Sequence, residues 1–350
     1  MLPSISPGSY LSSVNFNIAA LREEMLGRNL QIFAFKQDGT ASEPLFKNKF
    51  VIVGIPDDRG VKLNHGHVGA SAGPDAFRQA FYRLYDSRLE GGEWFGAAWV
   101  DLGDVVLQDE IADTHARLAD VVHWALAQGA RRVHVIGGGH DFSFGSYGGH
   151  ARSCAGILPI VNFDAHFDLR PVVDGQINSG TPFRRVIENF GNRVAEGAAL
   201  FEIGLQRERN PQSLWDYAQA KSVSVAEYCA GREPWRYWNL PEQPKRTLRE
   251  HLQNWLNHWC DPAGSSGDVH LSIDLDVFHV AAAMGTSAST SLGVPVETLW
   301  PCVEDVMSRK MCRVVDVAEL CPARDLQMQT ARLAAAMVLR GALSLESALR

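Results

Sequence analysis

The sequence predicts an α/β fold, a three-layer α/β/α sandwich around a mostly parallel sheet of roughly eight strands. Short apolar runs alternate with longer segments of helical periodicity along most of the 350 residues. This alternation is typical of parallel strands joined by right-handed crossovers. Polar clusters follow several of the runs, where open parallel sheets bind their ligands. A closed barrel of eight strands is the competing topology, but uneven strand spacing and long insertions favour the open sheet.

The order of elements supports this fold class. Residues 1–48 are predicted to form an N-terminal extension, in which 12–30 has helical spacing, and residues 49–350 a single main domain. The predicted strands are 50–55, 97–104, 133–136, 157–161, 199–205, 269–273 and 312–317. The predicted helices are 76–85, 110–128, a short one up to 151, 183–190, 211–220, 246–259, 296–309 and 328–349. Residues 235–238, rich in tryptophan, carry no clear pattern.

Three potential metal ligands, Asp164, His166 and Asp168, follow the apolar run 157–161 at alternate positions. Alternate residues of a strand share one face, so a strand continued through Asp168 would present all three side chains together. Two carboxylates buried together without a counter-ion are costly. The pattern therefore predicts a cation site.

Two other predicted strand ends carry residues of the same kind. Asp274 and Asp276 follow the run 269–273, and His140 follows three glycines that are predicted to let the backbone turn tightly. Two histidines and four aspartates suit two hard-to-borderline cations, Mn²⁺ first. Ni²⁺, Co²⁺ and Zn²⁺ remain alternatives, because they accept the same ligands. The glycine stretch lacks the lysine and the spacing of a phosphate-binding P-loop.

Composition narrows the class of protein. The chain is 46% hydrophobic and 21% charged, which is typical of a globular enzyme. The net charge of −7 argues against nucleic-acid or anionic-membrane partners. Without a long apolar run or a signal-peptide pattern, we expect a cytoplasmic protein with no membrane span. The six cysteines include no C-x-x-C pair and are interpreted as reduced thiols rather than metal ligands. The remaining histidines, including His150 and His270, are interpreted as packed or surface residues.

The three motifs at 137–141, 164–168 and 272–276 resemble the metal motifs of the ureohydrolase (arginase/agmatinase) superfamily. The resemblance extends from about Val51 to Leu343 and implies the arginase fold for the main, catalytic domain. Within the superfamily, the stretches 164–170, 179–183 and 276–278 are most similar to the formimidoylglutamase branch. Phe183 stands where arginases and agmatinases more often carry a histidine.

The resemblance implies two Mn²⁺ ions and a ligand set for each. One ion would be held by His140, Asp164, Asp168 and Asp274. The other would be held by Asp164, His166, Asp274 and Asp276. Glu319 matches the acidic position that contacts the cationic amidine or guanidine of the substrate, and Asp168 would transfer a proton to the leaving nitrogen. Relatives are often trimers or hexamers, so a homo-oligomer is expected.

For this branch the implied reaction converts N-formimino-L-glutamate and water to L-glutamate and formamide. Arg170 is the first candidate for binding a substrate carboxylate, because it lies two residues after Asp168 and a guanidinium can form two hydrogen bonds with a carboxylate. Weaker candidates are Arg59, Arg184 and Arg207. Further substrate contacts are expected from His67, Thr181, Phe183 and His279.

Two other functions stay open. One is the hydrolysis of another guanidino compound, such as arginine, agmatine or a guanidino acid, with release of urea. The other is a non-catalytic protein that keeps the fold, which the intact set of ligands argues against. His65 and His67 stand where the family loop usually has a glycine and an arginine, and the stretch 287–290 lacks a common proline. These departures bear on the identity of the substrate and touch no metal ligand.

Overall fold

The computed structural model describes residues 7–14, 16–33, 44–89, 92–231, 234–240, 247–261 and 266–349. The strands are β1 Leu11–Ser12, β2 Gln31–Ile32, β3 Phe50–Ile55, β4 Trp99–Val105, β5 Arg132–Gly137, β6 Ile160–Phe163, β7 Leu200–Leu205, β8 Ser224–Tyr228, β9 Trp235–Trp238, β10 Val269–Asp274 and β11 Cys312–Ala318. The α-helices are α1 Pro7–Tyr10, α2 Leu26–Asn29, α3 Arg59–Leu63, α4 Gly73–Phe81, α5 Ile111–Ala127, α6 Ser143–Ala151, α7 Pro182–Phe190, α8 Gln212–Ala220, α9 Leu248–Cys260, α10 Val296–Met307 and α11 Gln329–Ala348.

All strands join one open sheet in the order β1-β4-β3-β5-β11-β10-β6-β7-β8-β9, with β2 also paired to β4. The pairs are parallel except β1 with β4 and β8 with β9. The predicted three-layer α/β/α fold is confirmed, and the alternative closed barrel is wrong.

The central strands are covered by helices on both faces. Phe50 and Ile52 of β3 pack into a cluster shared with α4, α9, α10 and α11, whereas Val51 and Val53 pack against α5 on the other side. A third cluster joins α6, α7 and α8 to β6, β7 and β8. Burial on both faces explains why these strands are nearly continuous apolar runs. No helix among the described residues is long and apolar enough to cross a membrane.

Two regions differ from the sequence-based expectations. The helix predicted over 12–30 is wrong: Leu11 and Ser12 pair with β4, and within the described residues 16–30 only the short α2 is α-helical. Ile18 and Leu21 nevertheless pack against the core, so docking of short segments outweighed the helical spacing. The tryptophan-rich stretch 235–238 is the edge strand β9, paired antiparallel with β8. The sheet therefore has more strands than predicted, and the additional ones are short or lie at its edges.

The strand order brings distant parts of the chain together at the centre of the sheet. β5, β11, β10 and β6 are consecutive neighbours, although β10 and β11 come from the last third of the chain. These four strands are parallel, so their carboxyl ends open at one edge of the sheet. Ligands bind at this edge in open α/β sheets.

Candidate metal centre

Six side chains meet at the carboxyl ends of β5, β6 and β10. Potential ligand atoms of His140, Asp164, Asp168 and Asp274 all lie within 4.8 Å of one another. A second group with the same spacing consists of Asp164, His166 and Asp276. Asp164 belongs to both groups, as expected for a carboxylate that bridges two cations. Asp274 is part of the first group alone.

Two identical turns orient these aspartates. The backbone N–H of His166 donates to Oδ1 of Asp164 at 2.7 Å, and that of Asp276 donates to Oδ1 of Asp274 at 2.8 Å. Each turn leaves the Oδ2 atom of its aspartate facing the centre, 3.1 Å (Asp164) and 3.4 Å (Asp274) from Nδ1 of His140. A local hydrogen bond thus fixes each carboxylate after its strand has ended.

The expectation that a strand continues through Asp168 is wrong. β6 ends at Phe163, and Asp168 has a φ of +50°. The carbonyl of Asp168 accepts the N–H of Phe183 at the start of α7, which holds this left-handed residue in place. The Oδ2 atom of Asp168 lies 2.9 Å from Nδ1 of His140. The side chains converge because the chain turns, and strand alternation is not the cause.

His140 is fixed by hydrogen bonds on two sides. Its backbone N–H donates to Oε1 of Glu319 at 2.8 Å, and its Nε2 lies 2.8 Å from the hydroxyl of Ser272. The glycines before it serve close packing, since a Cβ on Gly138 would lie 1.9 Å from the carbonyl oxygen of Asp57. None of the three glycines at 137–139 has a positive φ, so the tight turn predicted here does not require their conformational freedom.

The charges at the centre fit a pair of divalent cations. Burial and the neighbouring Asp164 raise the pKa of Asp168 to about 6. Burial, Asp276 and Asp164 raise the pKa of Asp274 well above its usual range. Nδ1 of His140 and Oδ1 of Asp276 are buried without a hydrogen-bonding partner among the described residues. Cations between these groups would reduce the repulsion between the carboxylates and would serve as partners for the unpaired nitrogen and oxygen atoms.

His166 and Asp276 form the side of the centre nearer to solvent. Their Nδ1 and Oδ2 atoms are 3.1 Å apart, and the His166 side chain is 25% exposed. Both residues line a cavity of about 390 Å³ that opens above the centre.

The cavity has an acidic floor and a basic rim. Asp168, Asp274, Asp276 and Glu319 line its floor beside His166. Burial raises the pKa of Glu319 to about 8, against the opposing effect of the Ser287 hydroxyl and the His140 N–H. The remaining wall includes His65, His67, Arg170, Arg209 and Arg324.

Sequence reasoning missed Arg209 and Arg324. Arg209 donates to the carbonyl of Ser289 at 2.8 Å, and Arg324 lies on the exposed segment between β11 and α11. Both segments follow strands of the central sheet, β7 and β11. Their position after a strand end was the available signal, because such segments lie at the ligand-binding edge.

Several expected substrate contacts lie elsewhere. Thr181 donates to the carbonyl of Asn178 and Phe183 packs its ring edge against the His140 ring, and both are fully buried. His279 accepts the N–H of Ala281. None of the three lines the cavity, so a direct substrate contact finds no support at these positions.

The weaker arginine candidates are engaged outside the cavity. Arg59 pairs with Asp57, Arg184 with Glu188 and Arg207 with Glu227. Their guanidinium groups already have carboxylate partners, and none of the three lines the cavity. Local ion pairs thus hold these side chains away from the cavity, and the structure gives no support for a substrate contact at these positions.

Comparison with known proteins gives the family. The model of the arginase family matches residues 48–343. The chain belongs to the arginase family. It is 36% identical over 304 residues to the formimidoylglutamase of Paraburkholderia xenovorans, covering 83% of this chain and 86% of that protein. It is 35% identical over 309 residues to the formimidoylglutamase of Ralstonia nicotianae, covering 86% of each.

Solved structures of this family share the fold. The formiminoglutamase of Trypanosoma cruzi, solved with Mn²⁺, superposes with a TM-score of 0.69 at 25% identity, over 89% of this chain and 97% of that one. The formimidoylglutamase of Bacillus subtilis gives a TM-score of 0.71 at 20% identity, over 95% of this chain and 94% of that one.

Proposed function

We propose that this arginase-family chain is a manganese-dependent hydrolase that converts N-formimino-L-glutamate and water to L-glutamate and formamide. The observation that carries the proposal is the polarity of the cavity, with four carboxylates on its floor and three arginines on its wall. The substrate has the matching polarity, with a cationic formimino group at one end and two carboxylates at the other. The similarity to proteins named formimidoylglutamase supports the same reaction.

The residues of the centre suit two Mn²⁺ ions. His140, Asp164, Asp168 and Asp274 would hold one ion, and Asp164, His166, Asp274 and Asp276 the other. When bound, such a pair of ions supplies an activated water and stabilises the negative charge of the transition state. The mixture of carboxylate and imidazole ligands also accepts Ni²⁺, Co²⁺ or Zn²⁺, so activity with each metal should be compared.

Glu319 is proposed to bind the cationic end of the substrate. Its Oε1 accepts the N–H of His140, which fixes the carboxylate at the cavity floor. Positive charge at the metal centre and on the substrate lowers the raised pKa of Glu319, so its carboxylate can accept hydrogen bonds from the formimino nitrogens. Hydrogen bonds between charged groups are stronger than neutral ones.

Asp168 is proposed to move the proton. Its side chain is 10% exposed and borders the cavity, so it can reach both water and substrate. It would accept the proton released when water attacks the formimino carbon and return it to the leaving nitrogen. The product amine then leaves as glutamate, and the formyl carbon leaves as formamide.

The arginines are proposed to bind the two substrate carboxylates. Arg170 is exposed at the cavity and has no side-chain hydrogen bond or ion pair within the described part of the chain. One guanidinium nitrogen of Arg209 donates to the Ser289 carbonyl, and its other N–H groups can donate to a substrate carboxylate. Agmatine has no carboxylate and arginine has one, so an arginine-lined wall favours the glutamate derivative.

A product assay tests the proposal. The manganese-loaded protein is incubated separately with N-formimino-L-glutamate, arginine, agmatine and guanidino acids, and formamide and urea are measured. We expect formamide from the first compound and little urea from the others. Urea as the main product would support the alternative of a guanidino-compound hydrolase, and the absence of both products would overturn the hydrolase assignment.

The organisation of the protein is also proposed. We propose a single catalytic domain over residues 49–350 with an extension over 1–48, a cytoplasmic location, and a homo-oligomer, either a trimer or a hexamer. Light scattering of the purified protein measures the oligomer, and a monomer would contradict that part.

A further inference from the structure

A second cluster of metal-ligating side chains lies at the opposite end of the sheet from the cavity. One ligand atom each of His150, Cys154 and Asp268 lie within 4.8 Å of one another. His150 is the penultimate residue of α6, Cys154 follows one turn later, and Asp268 directly precedes β10. Cys154 lies just beyond the end of α6, where its Sγ donates to the carbonyl of His150 at 3.5 Å.

A chain of hydrogen bonds determines which ring nitrogens of His150 and His270 carry a proton. Nε2 of His270 lies 3.0 Å from Oδ2 of Asp316, and Nδ1 of His270 lies 3.4 Å from Nδ1 of His150. A carboxylate only accepts, so we assign the His270 proton to Nε2. Nδ1 of His270 then accepts a hydrogen bond, and His150 donates it from its own Nδ1.

His150 therefore directs a lone pair from Nε2 into the cluster. The His150 side chain is fully buried, and burial disfavours a charged ring. Nε2 is buried, without a hydrogen-bonding partner in the described ranges, and lies 3.4 Å from Oδ2 of Asp268. A lone pair that faces a carboxylate is unfavourable unless a cation lies between them.

We propose that His150, Cys154 and Asp268 bind a Zn²⁺ ion that fastens the end of α6 to the start of β10. Zinc is bound by imidazole nitrogen, thiolate sulfur and carboxylate oxygen at about 2.0–2.3 Å, so binding draws the three atoms closer together. The thiolate distinguishes this site from the cavity centre, whose ligands are nitrogen and oxygen. The sequence contains no spacing signal for this site, because the ligands come from separate segments.

Two guanidinium groups lie next to the ligand atoms of this cluster. Nη2 of Arg193 lies 3.3 Å from Sγ of Cys154, and Arg313 lies 3.7 Å from Oδ2 of Asp268. Burial raises the pKa of Cys154, against the opposing effect of Arg193. Binding of the ion therefore releases the thiol proton to solvent, and the two guanidinium groups remain as outer partners of the anionic ligands.

Cobalt spectroscopy separates this site from the cavity centre. Co²⁺ is added to the manganese-loaded full-length protein, and the near-ultraviolet charge-transfer band of a cobalt–thiolate bond is recorded. Cobalt that exchanges into the cavity centre gives no such band, because that centre contains no thiolate. The variants are Cys154→Ser and Asp268→Asn, and Cys229→Ser is the matched control, since Cys229 is also a half-buried free cysteine.

We expect the cobalt–thiolate band in the wild type and in Cys229→Ser, and no such band in Cys154→Ser. In Asp268→Asn, the affinity for cobalt should be at least ten-fold weaker. Elemental analysis should give one Zn²⁺ per chain more in the zinc-supplemented wild type than in Cys154→Ser. A wild type without the band, or a Cys154→Ser variant that keeps it, would overturn the proposal. Neither readout depends on hydrolase activity, so the proposed function can fail independently.

Discussion

Nε2 of His140 lies 2.8 Å from the hydroxyl oxygen of Ser272, a residue from a different part of the chain. Nδ1 is the nitrogen that faces Asp164, Asp168 and Asp274. With Nδ1 as the metal ligand, the imidazole proton is on Nε2, which then donates to Ser272. A metal-binding histidine commonly donates its other N–H in this way. Ser272 lies on β10 and His140 follows β5, so the hydrogen bond depends on the strand order of the sheet.

Replacement of Ser272 by alanine should weaken metal binding. Loss of such a hydrogen bond typically costs about 10- to 100-fold in metal affinity. Titration of the metal-free variant with Mn²⁺ measures the change, and the exposed Ser347→Ala on α11 is the control. Unchanged manganese affinity in Ser272→Ala would show that the hydroxyl does not orient His140.

Replacement of Glu319 by glutamine should reduce turnover and spare the metal. The glutamine can still accept the His140 N–H through its amide oxygen, but it has no charge for the cationic formimino group. Because a hydrogen bond to a charged group is worth about 1.5–3 kcal/mol, kcat/KM should fall roughly 10- to 100-fold. Steady-state kinetics and manganese content are measured on the same preparation. Full activity of Glu319→Gln would show that the charge of Glu319 does not bind the substrate.

Replacement of Arg170 by methionine should raise KM for N-formimino-L-glutamate by about 10-fold or more, since one charged hydrogen-bonding partner is lost. Arg184→Met is the matched control, because Arg184 pairs with Glu188 and does not line the cavity. Equal effects of the two substitutions would contradict a role of Arg170 in binding a carboxylate.

Two adjacent glycines of α6 should respond in opposite ways to alanine. A Cβ on Gly149 would lie 2.5 Å from the backbone oxygen of Ala119 on α5, whereas one on Gly148 would meet nothing closer than 3.4 Å, on the Phe190 ring. Gly149→Ala should destabilise the protein by about 1–3 kcal/mol through overpacking. Gly148→Ala should be neutral or stabilise it by up to about 1 kcal/mol, because alanine favours a helix. Denaturant unfolding compares the two, and equal stabilities would show that α5 and α6 do not pack this closely.

The types of residue at the centre were predictable, but the way in which they converge was not. Asp164, His166 and Asp168 follow an apolar run, and a run that ends in ionisable residues is visible in any sequence. The turn that ends β6 at Phe163 depends on hydrogen bonds to β7 and α7, such as the one between the Asp164 N–H and the Ile203 carbonyl. Strand periodicity contains no information about such contacts.

The cavity wall was less predictable than its floor. Arg170 is near a metal motif in the sequence, whereas Arg209 and Arg324 reach the cavity through the positions of β7 and β11 in the sheet. An arginine also pairs readily with the nearest carboxylate, as Arg184 does with Glu188. The family resemblance gives the ligand motifs, but substrate contacts require the fold.

Equilibrium dialysis of the metal-free protein against Mn²⁺ is the most direct test of the paired-cation centre. The centre formed by His140, Asp164, His166, Asp168, Asp274 and Asp276 predicts two bound manganese ions per chain at saturation, and fewer in Asp276→Ala. One ion or none in the wild type, or two in Asp276→Ala, would contradict it.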